Sequence, residues 1–418
     1  MASNSKIRNS LLYLSQSIGQ INLDDDHIDI VSVKTFIHIL SDVEDFRVKG
    51  RCIYKIENLI VMIFFAVLAG HGSNCIDIAD YVSLNKQMFV KWNILDSEHV
   101  PAHDTFRRLL MNLDTEKFKE VVYIHLNSFF EKLESTMPYK NQYRQLSVDG
   151  KELRGTGRAK NTNCPKGNLA TLNIYDNSRG LVISASAIEK KESEIPKARE
   201  ELEVLNLKKT IVTCDALHCQ KDTAELIHKK HGYYLLIAKD NQALLSKDIS
   251  SRIETEKKTV KIIEDEKRKY YFYVLPKKFI GLEWVGQKMY IKVESYVRNK
   301  TEPTIMYFLT NTTNKDLVIE AIENKWQIEN DHHKNKDLLL DEDKFRIADK
   351  AAVANIVAIH DITLALFKIA FASLPELNTL KKTRMAFELQ PEKYLMIVLS
   401  IINSDILIKK LKEANKKK

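Results

Sequence analysis

Apolar positions recur at helical spacing through the first third of the chain, and from Val33 to about Phe130 this pattern predicts a succession of helices. Lys55 to Ala69 is apolar almost all round, which predicts a helix buried on every side, and Asn74 to Tyr81 continues the helical pattern. After Pro101, the segment His103-Asp104-Thr105-Phe106 reads as a helix start with Asp104 as candidate N-cap. Leu113-Asp114 breaks that helix, and Thr115 to Leu133 predicts the next. Residues 1–32 are polar, include Asp24-Asp25-Asp26, and are expected to add little to the core.

The period changes after Pro138. Tyr143 to Val148 predicts a strand ending at Asp149-Gly150. Leu169–Tyr175 and Gly180–Ile188 predict two strands joined by an Asp176-Asn177-Ser178 turn. Glu192–Leu205 reads as helix, Thr210–Cys214 as strand, Lys221–His231 as helix and Tyr233–Ala238 as strand. Hairpin pairing thus passes into alternating strand and helix, which implies a mixed sheet with helices packed on it. Residues 246–310 alternate polar and apolar positions, as in Lys269-Tyr270-Tyr271-Phe272-Tyr273-Val274, and predict an antiparallel β-rich insertion. The helical period returns from Lys315 to Phe371.

Composition narrows the class. Apolar residues make up 44% and charged residues 29%, the balance of a folded globular protein. The longest apolar run, Leu59 to Ala69, is too short to span a bilayer, and the N-terminus lacks a secretory layout, so a cytoplasmic protein without a membrane partner is expected. The five cysteines are scattered without paired zinc-site spacing. Of the net charge of +8, Lys381 to Lys418 contributes ten Lys and Arg against four Asp and Glu. Such a basic tail suits a polyanion, or is simply a solvated, frayed terminus.

Three acids fall where a mixed sheet would gather them. Asp149 and Asp215 each close a predicted strand, and sites in open α/β sheets form at carboxyl ends of strands. Glu329 follows 114 positions after Asp215, on a predicted helix. Carboxylates of this kind suit hard divalent cations, and a pair of ions suits phosphoryl transfer. Taken singly, Asp149 reads as a turn residue, Asp215 as a helix cap and Glu329 as a solvated side chain.

The surrounding segments change that reading. Leu146-Ser-Val-Asp-Gly-Lys-Glu-Leu-Arg-Gly155, Val212-Thr-Cys-Asp-Ala-Leu-His-Cys-Gln-Lys221, Leu236-Ile-Ala-Lys-Asp-Asn-Gln242 and Trp326-Gln-Ile-Glu-Asn330 occur in this order. Together they resemble the DDE transposases of bacterial insertion sequences, in the branch of the H-repeat-associated proteins of Rhs elements. Asp45-Phe-Arg-Val-Lys-Gly50, Phe65-Ala-Val-Leu-Ala-Gly70 and Pro101-Ala-His-Asp-Thr-Phe106 resemble that family's helical associated domain. The resemblance spans about residues 35–370. Where relatives carry Arg-Ser-His before the tryptophan, this chain has Glu323-Asn324-Lys325, and where they carry Leu-His-Trp it has His332-His333-Lys334.

The resemblance implies an α/β, ribonuclease-H-like mixed sheet with a β-rich insertion at about 246–310, preceded by a small all-helical N-terminal domain. The implied layout is a polar segment (1–32), a helical DNA-binding domain (33–137), a catalytic domain (138–375) and a basic helical tail (376–418). Asp149, Asp215 and Glu329 would hold two Mg²⁺ or Mn²⁺ ions, with Asp337, Glu342 and Asp343 as rivals for the third place. Lys151, Arg154, Lys221, Lys239, Lys325, His333, Lys336 and Arg346 would contact DNA, Lys336 filling a basic position seven past the glutamate. Trp326 is read as packing, and His218 as a structural histidine. The implied reaction is hydrolysis at transposon inverted repeats and transfer of the 3′-hydroxyl to target DNA, by a homodimer in a synaptic complex. Two alternatives are a former transposase kept for DNA binding and a stand-alone metal-dependent nuclease.

Overall fold

The computed structural model describes residues 9–18, 33–48, 50–96, 99–137, 143–158, 167–189, 194–278, 281–296, 302–347 and 349–416. The expected acidic run at 24–26, Cys164 and the last two lysines lie outside these. The helical first third comprises α1 (Ser10–Ile18), α2 (Val33–Leu40), α3 (Ile56–Leu68), α4 (Cys75–Leu84), α5 (Lys86–Lys91), α6 (His103–Asn112) and α7 (Thr115–Thr136). α3 is buried on all sides, as its sequence requires. Side-chain caps set two starts: Asn74 accepts from the amides of Ile76 and Asp77, and Asp114 from those of Glu116 and Lys117. Asp104 is not a cap. It lies inside the first turn of α6, where it pairs with Arg107 and Arg108, and the N-cap position is Ala102. The stretch expected to stay off the core also contributes, because α1 buries Leu14 and Ile18.

A nine-stranded sheet follows. Its strands are β1 (Arg144–Leu153), β2 (Leu169–Asp176), β3 (Leu181–Ile188), β4 (Thr210–Cys214), β5 (Tyr233–Ala238), β6 (Lys261–Glu264), β7 (Arg268–Val274), β8 (Met289–Ser295) and β9 (Thr304–Thr310). Their order is β3-β2-β1-β4-β5-β9-β8-β7-β6. β1, β4 and β5 run parallel; the remaining neighbours are antiparallel. The residues expected to form a β-rich insertion open with helix α10 (Ala243–Thr255), and their strands extend the same sheet through β9. One face packs on α8 (Glu194–Val204), α9 (Lys221–Lys229) and α10. The other packs on α11 (Lys315–Asn324) beneath the middle and far strands.

The helical period expected from Lys315 to Phe371 is met by several elements. After α11 come a wide π-helical turn (Ile328–His333), α12 (Lys334–Leu340) and α13 (Lys350–Ser373). Asp341, in the left-handed region at φ 52°, ends α12, and Asp349 caps α13 by accepting from the Ala352 amide at 2.9 Å. α13 is long and apolar enough to cross a membrane by length and composition, although Asp361 and Lys368 interrupt its apolar run. Its most apolar stretch is 94% buried inside the protein, so the helix is a core strut joining the helical third to β1–β3. α14 (Leu380–Leu389), α15 (Pro391–Asn403) and α16 (Asp405–Lys416) bury Phe387, Leu395, Val398 and Leu411 in the same core. The basic C-terminal stretch is therefore packed through Leu411 rather than frayed.

Candidate active site

The parallel ladder between β1 and β4 ends at the Val148–Cys214 pair. Asp149 and Asp215 are the next residues on these neighbouring strands, roughly one strand spacing (about 4.8 Å) apart along the backbone. Asp149 does not end β1 as expected; the strand runs on to Leu153, paired only with β2, where Asn173 lies opposite Asp149. Asp215 occupies the cap position of a short 3₁₀ turn (Ala216–His218) but makes no side-chain cap bond. Asn241 donates to the Ala216 carbonyl at 2.6 Å and Gln242 to that of Cys219 at 2.9 Å, which pins this turn to the loop after β5.

The run bearing Glu329 passes along β1 toward Asp149, from tethers beside the start of that strand to His333, which faces Asp149 at 3.6 Å. Gln145 on β1 donates to the Ala321 carbonyl at 2.8 Å, and Asn177 to that of Asn324 at 2.8 Å. Downstream, Lys368 on α13 holds Asp331 at 2.7 Å. Glu329 itself is exposed. Burial pushes the Asp149 carboxyl up to about 7; Lys325 opposes the shift, and Glu329, Asp215 and Glu194 add to it. Glu342, a rival for the third place, is buried between Lys151 (2.6 Å) and Lys336 (2.6 Å), which hold it well below the usual range against the effect of burial. Asp337 pairs with Lys151 at 2.5 Å, and Asp343 lies 3.8 Å from Arg154.

The expected DNA contacts divide into two groups. Arg154, Lys221, Lys239 and Arg346 are exposed. Lys151, Lys325, His333 and Lys336 are buried. Lys336 has 0% exposure, with its ammonium 2.6 Å from Glu342 and 2.7 Å from Asp361, so it offers no charge to a phosphate. Lys325 lies 4.3 Å over the ring of half-buried Trp326. Burial, with Lys151 and Lys336 nearby, pulls His333 down to about 3, so its ring is neutral and brings no positive charge. Asn173 lies 3.2 Å from its Nε2, and Nδ1 faces Asp149 at 3.6 Å. With Asn173 as donor, the ring proton sits on Nδ1 and points at Asp149.

The sequence reading missed Glu194, Asn173 and the buried partners of Lys336. None of these carried a signal in the sequence: Asn173 comes opposite Asp149 only through the pairing of β1 with β2, which lies outside the predicted hairpin. Burial raises the Cys214 and Cys219 thiols to about 12, which leaves them protonated and unsuited to binding zinc. Among the described residues, no three His, Cys, Asp or Glu side chains converge as a ready-made metal cage. The donor chemistry still fits a hard divalent cation: carboxylates near one another, one of them raised by burial and then by its acidic neighbours, are relieved by positive charge between them.

Comparison with known proteins gives the family. The profile of the transposase DDE domain matches residues 140–366, and that of the DDE-associated domain matches residues 37–126. The chain belongs to the DDE transposase family. Within it, the relatives place the chain in the H-repeat branch. YbfL of Escherichia coli strain K12 is 26% identical over 340 residues, covering 76% of this chain and 86% of that protein. YncI of Escherichia coli O157:H7 is 25% identical, covering 81% and 88%. The H repeat-associated YhhI of strain K12 is 25% identical, covering 76% and 86%; YncI and YhhI are both provisionally named transposases. A cryo-EM structure of a piggyBac transposase synaptic complex with hairpin DNA spans all of this chain and 86% of its own, at 13% identity and a TM-score of 0.39, a likeness too slight to assign a fold.

Proposed function

We propose that this DDE transposase-family protein hydrolyses phosphodiesters at the ends of a transposon and transfers the freed 3′-hydroxyl to target DNA. Asp149, Asp215 and Glu329 act as the carboxylates holding Mg²⁺ or Mn²⁺. The observation carrying this reading is that Asp149 and Asp215 directly follow the last pair of the β1–β4 ladder, side by side, while Glu329 acts on the same Asp149 carboxyl. Two bound divalent ions would supply an activated water or hydroxyl and stabilisation of the leaving oxygen. The chain's own part is to present three carboxylates at one sheet end, with the neutral His333 ring aimed at the first. The strand order β3-β2-β1-β4-β5 and the long stretch before the last acid support a ribonuclease-H-like core.

Arg154, Lys221, Lys239 and Arg346 are the exposed cations for DNA phosphates, and a homodimer would pair two transposon ends in the bacterial nucleoid. The test is incubation with DNA bearing the flanking inverted repeats and Mn²⁺. Nicking at the repeat ends is expected, lost in Asp149→Asn, Asp215→Asn and Glu329→Gln while DNA binding persists. Binding without any cleavage in the unmodified protein would instead favour a former transposase kept for DNA binding. Cleavage that survives Glu329→Gln would remove this glutamate from the site.

A further inference from the structure

Glu194 begins α8, on the sheet face opposite to α11, and is 6% exposed. A carboxylate buried this deeply needs a partner. It has one in His218, buried at 1% exposure, whose Nε2 lies 2.9 Å from Glu194 Oε1. His218 closes the 3₁₀ turn that begins just after Asp215. The pair therefore ties the first turn of α8 to the loop carrying the second acid.

Gly150 explains where the carboxylate goes. Side chains alternate along β1, so Gly150, next to Asp149, faces the α8 side. A Cβ built there would lie 2.6 Å from Glu194 Oε2, 2.7 Å from its Cδ and 2.8 Å from Oε1. The carboxylate occupies the place of the missing side chain, against the backbone of the residue after Asp149. A salt bridge serving only to fasten α8 would have no need of this approach.

We propose that Glu194 is a fourth carboxylate of the metal-holding cluster, set in place by His218 and admitted by the absent side chain of Gly150. The proposal rests on the reading of Asp149, Asp215 and Glu329 as metal ligands. Glu194 adds negative charge and oxygen donors for a divalent cation at the end of the β1–β4 ladder, reached from the α8 face. His218 is a positioning residue that fixes the orientation of the carboxylate without touching substrate.

The test is calorimetric titration of the full chain with Mn²⁺ in the absence of DNA, beside the Tm with and without the ion. Glu194→Gln keeps the shape and removes the charge; it is expected to weaken Mn²⁺ binding about 10- to 100-fold while the metal-free Tm holds. His218→Gln is expected to weaken it in the same direction. Gly150→Ala leaves all four acids in place but displaces the Glu194 carboxylate, so it too should lose affinity, which keeps the test open if Glu194→Gln does not fold. Unchanged Mn²⁺ affinity in Glu194→Gln or Gly150→Ala, with a lower metal-free Tm, would make the pair structural and overturn the proposal. Asp149→Asn separates the two claims: if it too leaves Mn²⁺ affinity untouched, the metal-site reading itself fails.

Discussion

Lys336 shows how far a residue's sequence position constrains its role. The family resemblance puts a basic residue seven positions past Glu329, and a helical period would put it on an outward face. In the structure its ammonium is enclosed by Glu342 and Asp361, which outweigh burial and hold it above its ordinary value. Lys151, two residues past Asp149, reaches the same Glu342. The cluster thus links the strand bearing the first acid to the segment following the third. None of this was legible beforehand, because a charge pattern shows that a lysine exists and not which distant carboxylate closes on it. Replacing a buried ion by an apolar group strands its partners. Lys336→Met should therefore lower unfolding free energy by about 3–5 kcal/mol in urea denaturation, with the salt dependence of DNA binding unchanged. A loss below about 1 kcal/mol, typical of exposed pairs, together with a shallower salt slope, would mean that Lys336 meets phosphate after all.

Among the elements, strands were the more legible. β4 and β5 fall on the expected residues because short continuous apolar runs between turns leave few alternatives for strands buried on both faces. The end of β1 was misplaced because Asp149-Gly150 resembles a turn, whereas β2 continues to pair with it through Leu153. The π-helical turn at Ile328–His333 was invisible, since one wide turn does not disturb a helical hydrophobic pattern over a long window. It matters because it carries Glu329 and His333 together. α13 anchors this region through Lys368, and its own start depends on Asp349. Asp349→Ala should cost about 1 kcal/mol in chemical denaturation, with Asp349→Ser recovering most of it. No change in either variant would show that packing alone sets the start of α13.

At the scale of the molecule, one sheet gathers the candidate site. The parallel pairing of its central strands stops at one level, helices cover both faces, and the strands β6–β9 extend the far edge without approaching Asp149 in the strand order. The alternation of strand and helix made a mixed sheet legible, and the two aspartates with it. Glu329 came from resemblance, and Glu194 needed the packing of α8 over Gly150. The central claim is that Asp149, Asp215 and Glu329 hold divalent metal. Anomalous diffraction from crystals of the full chain grown with Mn²⁺ tests it most directly. Mn²⁺ peaks are expected within ligand distance of Asp149, Asp215 and Glu329; peaks placed instead at Asp337, Glu342 or Asp343, or none at the three acids, would rule these ligands out.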